Sequence, residues 1–117
     1  MLFAKIHRAQ VTERDLNYVG SITIDKKLLQ ESSILPNEKV EVYNISNGNR
    51  FATYVLEGQE GSGVIGINGA AARLVSVGDK VIIVNFCQLN EKEITTHHAK
   101  IVIVEDDDNK KFRSIIK

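Results

Sequence analysis

Apolar and polar positions alternate with a period of two over long stretches of the chain, which predicts strands before anything else. Leu2–His7 sets Leu2, Ala4 and Ile6 on one face and Phe3, Lys5 and His7 on the other. Lys39–Ile45 alternates likewise, and Arg50–Leu56 opposes Phe51, Thr53 and Val55 to Ala52, Tyr54 and Leu56. Their β-branched and aromatic side chains suit a pleated surface. Val64–Ile67, Lys80–Phe86 and Lys100–Val104 are short apolar runs, the pattern of strands covered on both faces. Asn47-Gly48 lies between two such segments and predicts a tight hairpin. Gly58 to Gly63 reads as a glycine-rich connection, and Val77-Gly78-Asp79-Lys80 as a turn into a buried strand.

Helix is scarce. Asp25 can N-cap Lys26–Glu31, with Leu28 and Leu29 inward and an end near Ser32-Ser33. Thr12 is expected to cap a turn at Glu13–Leu16, and Ala70–Val75 to form another. The tail, Glu105–Lys117, opens with charged residues and reads as a solvated turn with a poorly fixed end. Short strands separated by turns every 8–12 residues or so predict a single mainly β domain over residues 1–117: a small closed barrel with a few short helices.

Composition narrows the function classes. The 117 residues carry 15 basic and 15 acidic side chains, so no global charge favours nucleic acid or an anionic membrane. No apolar run approaches the roughly 18 residues that span a bilayer, and Met1–Gln10 has no signal-peptide core. The single cysteine, Cys87, makes neither an internal disulfide nor a cysteine-rich metal site, and a reducing, cytoplasmic setting is expected. His97 and His98 would point to opposite faces of a strand, so no metal is expected. There is no GxxxxGK[ST] and no Gly-x-Ser-x-Gly, and no GxGxxG is expected to follow a strand.

Three segments could carry chemistry. Tyr18-Val19-Gly20-Ser21 reads either as a turn joining strands or as a self-cleavage point. In the second reading the serine hydroxyl attacks the preceding carbonyl, and glycine tolerates the strained backbone this requires. Elimination of the resulting ester leaves dehydroalanine, and its hydrolysis gives a pyruvoyl group. Asn47-Gly48-Asn49-Arg50-Phe51-Ala52-Thr53-Tyr54 is a hairpin with an exposed arginine and a half-buried tyrosine, or a site. As a site, Arg50 would bind a carboxylate and Tyr54 would donate a proton. The small residues of Asn68-Gly69-Ala70-Ala71-Ala72 allow close packing, or close approach of an anionic ligand to backbone N–H groups. Lys5 and His7 share a strand face that is either solvated or a second source of cation for a diacid.

Together these segments resemble the L-aspartate α-decarboxylase family, small pyruvoyl enzymes that make β-alanine for pantothenate. The likeness is carried in order by Lys5-Ile6-His7-Arg8-Ala9-Gln10-Val11-Thr12, Tyr18-Val19-Gly20-Ser21, Asn47 to Tyr54, Asn68 to Ala72, and Val77-Gly78-Asp79-Lys80-Val81. It runs from about Leu2 to Leu89 and is loose from Asn90 onward. Asn17 stands where relatives often carry histidine, and Tyr43 replaces a common tryptophan.

The resemblance implies a six-stranded double-psi β-barrel and cleavage between Gly20 and Ser21 into chains 1–20 and 21–117. It implies a pyruvoyl cofactor derived from Ser21, a Schiff base with L-aspartate, and a homotetramer with sites between subunits. Thr53 would stabilise the oxyanion during processing, and Asn68 would help hold the precursor. In the mature site Tyr54 would protonate the carbanion left by CO2. Arg50, helped by Lys5, would hold substrate carboxylate, with Thr53, Gly69, Ala70 and Ala71 lining the pocket. Two other readings compete: the same scaffold acting on glutamate, which differs by a single methylene, and a non-catalytic barrel that binds protein or nucleic acid. Neutral charge and the joint presence of Ser21, Arg50 and Tyr54 weigh against the latter.

Overall fold

A computed structural model describes Met1–Lys117. Its strands are β1 (Leu2–Gln10), β2 (Glu13–Asp15), β3 (Ser21–Asp25), β4 (Lys39–Asn44), β5 (Arg50–Gly58), β6 (Ile65–Asn68), β7 (Lys80–Phe86), β8 (Lys100–Val104) and β9 (Phe112–Ile116). Two short helices, α1 (Lys26–Ser32) and α2 (Glu91–Ile94), and a 3-10 helix, Gly69–Leu74, complete the chain. The mainly β class stands, and the six segments read as strands are joined by β2, β3 and β9.

The strands pair in the order β2-β6-β3-β5-β4-β7-β1-β8-β9. The end strands β2 and β9 do not pair with each other, so strand pairing does not close the sheet into a barrel. β1 runs antiparallel to β7 and parallel to β8, while β3 runs antiparallel to β6 and parallel to β5. Period-two alternation then sends one face inward. Ala4, Ile6, Ile22, Ile24, Val40, Val42, Val55, Ile67 and Ile83 are buried in one core.

The expected helix at Lys26 forms as read. Asp25 caps it by accepting from the Lys27 N–H at 2.9 Å, and Leu28 and Leu29 are buried. Asp25 also accepts from the Gly61 and Gly63 N–H groups, at 2.9 and 2.8 Å, which ties the glycine-rich connection to the helix start. Gly61-Ser62-Gly63-Val64-Ile65-Gly66 does have GxGxxG spacing and comes after β5, contrary to expectation. It leads into strand β6 rather than a helix, so no helix dipole stands behind it for a dinucleotide phosphate.

Two further expectations fail. Glu13–Leu16 does not form a capped turn: Glu13–Asp15 is strand β2, paired in parallel with β6. The Thr12 hydroxyl accepts from the Ile65 N–H at 2.9 Å and donates to the Ile65 carbonyl at 3.2 Å, fixing β2 beside β6. The tail is also held. β9 pairs antiparallel with β8, and Ala99 and Lys117 exchange backbone hydrogen bonds of 2.9 Å. The charged 105–111 segment is the turn of this hairpin, and the apolar Ile115-Ile116 pair supplies its returning strand.

Candidate functional site

Ladder register sets the site. Ser21 of β3 lies opposite Asn68 of β6, and Asn68 lies opposite Asp15 of β2. The next row on the same face is Thr23, Gly66 and Glu13. Ser21 is fully buried, although it opens a strand. Its hydroxyl donates to the Val19 carbonyl at 3.2 Å and accepts from the Asn68 side-chain amide at 3.0 Å. The same amide donates to the Thr23 hydroxyl at 3.3 Å. Asn68 therefore holds two strand-β3 hydroxyls at once.

The preceding peptide is accommodated from below. Gly69 has φ +75°, and a Cβ there would fall 2.6 Å from Gly20 Cα and 2.9 Å from Gly20 N. Only a glycine lets the chain before Ser21 lie against the start of the 3-10 helix. Tyr18 and Val19 are exposed just upstream. Beside them opens a cleft of about 340 Å³ lined by Glu13, Arg14, Asp15, Tyr18, Thr23 and Asn68. Reading Glu13–Leu16 as a turn hid Glu13, Arg14 and Asp15 from this site. The signal was available as a polar run directly before Tyr18.

Tyr54 is on β5, the strand next to β3. The parallel register begins with Ile22 opposite Val55, and Ser21 and Tyr54 are the residues just before that pair. Tyr54 is partly exposed, and Lys39 lies opposite it on β4. Thr53 is on the inward-facing side of β5, opposite Val40. Arg50 is opposite Tyr43, and its guanidinium stacks over the Tyr43 ring at 4.2 Å from the centroid. The Tyr43 hydroxyl donates to Glu41 Oε1 at 3.4 Å. Tyrosine in place of tryptophan thus keeps an aromatic face for the arginine. Ala70 is exposed and Ala71 packs partly against the core.

Lys5 is on β1, four strands from β3 in the pairing order. It sits in a row running Lys5, Val84, Glu41, Ala52 across β1, β7, β4 and β5. At the usual strand spacing that places it about 14 Å along the sheet from Ala52, and β3 is one strand further.

His7 occupies the neighbouring row, with Ile82, Tyr43 and Arg50. Its Nδ1 is buried without a partner. Burial, then the nearby charges of Lys5 and Arg8, holds its pKa below the ordinary histidine value. The unfolded chain accordingly binds a proton that the folded chain resists, and stability falls as pH drops from the ordinary histidine value toward the lowered one. Between about pH 7 and pH 5.5, the denaturation midpoint of the parent chain should fall more steeply than that of His7→Gln. Equal slopes would remove His7 as the cause.

The family model described as aspartate decarboxylase matches residues 1–111. An aspartate 1-decarboxylase of Caldicellulosiruptor saccharolyticus is 63% identical over 110 residues, covering 94% of this chain and 85% of that protein. One from Neisseria meningitidis is 59% identical over 116 residues, covering 99% and 90%. One from Staphylococcus aureus is 59% identical over 107 residues, covering 92% and 84%. A mainly β chain matched over nearly its whole length by enzymes of one activity is by class a decarboxylase. The chain belongs to the aspartate decarboxylase family.

Proposed function

We propose that the chain is a precursor that cuts itself between Gly20 and Ser21, and that the mature protein converts L-aspartate to β-alanine and CO2 in pantothenate biosynthesis. The observation that carries this reading is the fully buried Ser21 hydroxyl, bonded to Asn68 at 3.0 Å, directly after a glycine packed against Gly69. In the precursor, Ser21 Oγ attacks the Gly20 carbonyl carbon. The C–O ester bond forms as the C–N bond breaks, and the hydroxyl proton passes to the released amine. Thr53 stabilises the oxyanion, and Asn68 fixes the hydroxyl. Elimination then yields the Gly20 carboxylate and dehydroalanine, and water releases ammonia to leave a pyruvoyl group at position 21.

The residues present suit such a group: a buried hydroxyl with a dedicated amide partner, and a neighbouring glycine with no room for a side chain. A pyruvoyl group supplies a ketone that takes up an amine and an electron sink for decarboxylation. Arg50 binds a substrate carboxylate as a charge-assisted pair, and its stacking on Tyr43 pre-orients the guanidinium. Tyr54 Oη delivers a proton to the carbon that lost CO2. Gly69, Ala70 and Ala71 line the pocket with backbone. Lys5 reaches the site from an adjacent subunit of a homotetramer, which accords with its separation from Ser21 in the ladder. A cytoplasmic setting, where thiols stay reduced, suits the free Cys87.

Intact mass of the purified protein tests the reading. Two fragments divided after Gly20, the larger without a free amine, are expected; a chain left whole after prolonged warming overturns it. Steady-state rates with both diacids decide the substrate, and faster turnover of glutamate would displace aspartate. Tyr54→Phe should process normally yet lose roughly a hundredfold in kcat; an unchanged kcat would remove Tyr54 as donor.

A further inference from the structure

The hairpin from β4 to β5 carries more hydrogen bonding than its turn requires. The turn is closed by backbone bonds from Asn44 N–H to the Asn49 carbonyl and from Gly48 N–H to the Asn44 carbonyl, both 2.8 Å. Two side-chain carbonyls finish it: Asn44 Oδ1 accepts from Ser46 N–H and Asn47 Oδ1 from Asn49 N–H, at 2.9 and 2.8 Å. The side-chain amide nitrogens of these asparagines play no part in that turn. Asn44, Asn47 and Asn49 instead donate to one atom, the Leu74 carbonyl oxygen, at 3.3, 3.1 and 3.2 Å. That oxygen has two lone pairs, so three donors exceed what its own satisfaction needs.

The position of Leu74 gives the excess a purpose. It is the last residue of the 3-10 helix Gly69–Leu74, and Asn49 directly precedes Arg50. The helix has no side-chain cap at its N-terminal end. Asn44 also donates to Asp79 Oδ2 at 2.8 Å, and that oxygen accepts from Ser76 N–H at 2.9 Å, extending the link to the turn before β7. A fourth donor reaches the same helix from the cleft side, Arg14 Nη1 to the Ala72 carbonyl at 2.9 Å. We infer that Asn44, Asn47 and Asn49 are a positioning clamp that sets Arg50 relative to the Gly69–Leu74 segment, and thereby the affinity for a dicarboxylate substrate. This rests on the proposed roles of Arg50 and of Gly69 to Ala71. None of the three asparagines touches substrate; they act by holding groups that do.

Asn44 is buried and its replacement would disturb the fold, so the test uses Asn47→Ala, Asn49→Leu and the double variant in the full chain. Cleavage after Gly20 and kcat should match the parent, while KM for L-aspartate rises roughly tenfold in the double variant. Amide hydrogen exchange should quicken in Gly69–Leu74 as well as in the hairpin. A lower denaturation midpoint with unchanged KM would reduce the asparagines to turn stabilisers. Unchanged exchange in Gly69–Leu74 would refute the clamp whatever the activity. A parent protein that exchanges slowly there, and faster in the double variant, but does not turn over L-aspartate, would keep the mechanical link and overturn the substrate reading instead.

Discussion

Ser21→Ala is expected to leave a single uncut chain and to lower aspartate decarboxylation by roughly a thousandfold or more. The substitution removes one oxygen from a fully buried position and adds no bulk. It strands the Asn68 side-chain amide with Thr23 as its remaining partner and costs about 1 kcal/mol of stability. Folding should survive, so loss of both cleavage and activity can be assigned to the missing hydroxyl. Intact mass reads the first effect and CO2 release the second. Fragments divided after Gly20 in this variant would exclude Ser21 as the attacking group, and retained turnover would exclude it as the source of the cofactor.

Gly69→Ala is expected to damage the protein through backbone alone. The φ of +75° costs a non-glycine residue about 1–2 kcal/mol. The new Cβ would then meet Gly20 Cα at 2.6 Å and Gly20 N at 2.9 Å, both backbone atoms that can move only by shifting the chain just before Ser21. A loss of about 3 kcal/mol or more follows, together with a precursor that does not mature. Gly48→Ala separates the two causes. Its φ is +81°, yet nothing lies within 4 Å of the added Cβ, so only the conformational cost of about 1–2 kcal/mol applies. Denaturation midpoints and fragment masses of the pair should differ in that order. Normal cutting in Gly69→Ala would show that the close approach to Gly20 is dispensable.

How much of this was legible in the sequence depended on whether the information was local. The alternation of Leu2–His7 and Arg50–Leu56 put Ile6 and Lys5, and Val55 and Tyr54, on opposite faces because strand geometry needs only neighbouring residues; the structure buries Ile6 and Val55. Asp25 announced α1 for the same reason. β2 was misread because three exposed residues have no inward face, and they become a strand only because β6 offers them an edge. β9 was hidden by the charged segment before it, and is fixed by β8 rather than by its own pattern. Among the site residues, motif order predicted Ser21, Asn68 and Gly69, which the structure does bring together. The distance of Lys5 from them, and the shared carbonyl of Leu74, depend on strand order and could not be read from spacing.

The place of β1 in that order bears on what the proposed cleavage would do to the fold. β1 lies between β7 and β8, with Ala4, Ile6 and Ala9 wholly buried. A cut after Gly20 would therefore release no loose peptide; it would leave an interior strand held without a covalent bond to the rest of the fold. From then on the two pieces would stay together by mutual burial, as partners in a complex do. Once unfolded, they would have to find each other again by diffusion, at a rate set by dilution. Durability of the mature enzyme would thus be governed by how slowly it opens, and the cleaved molecule would have exchanged reversible folding for a single assembly event.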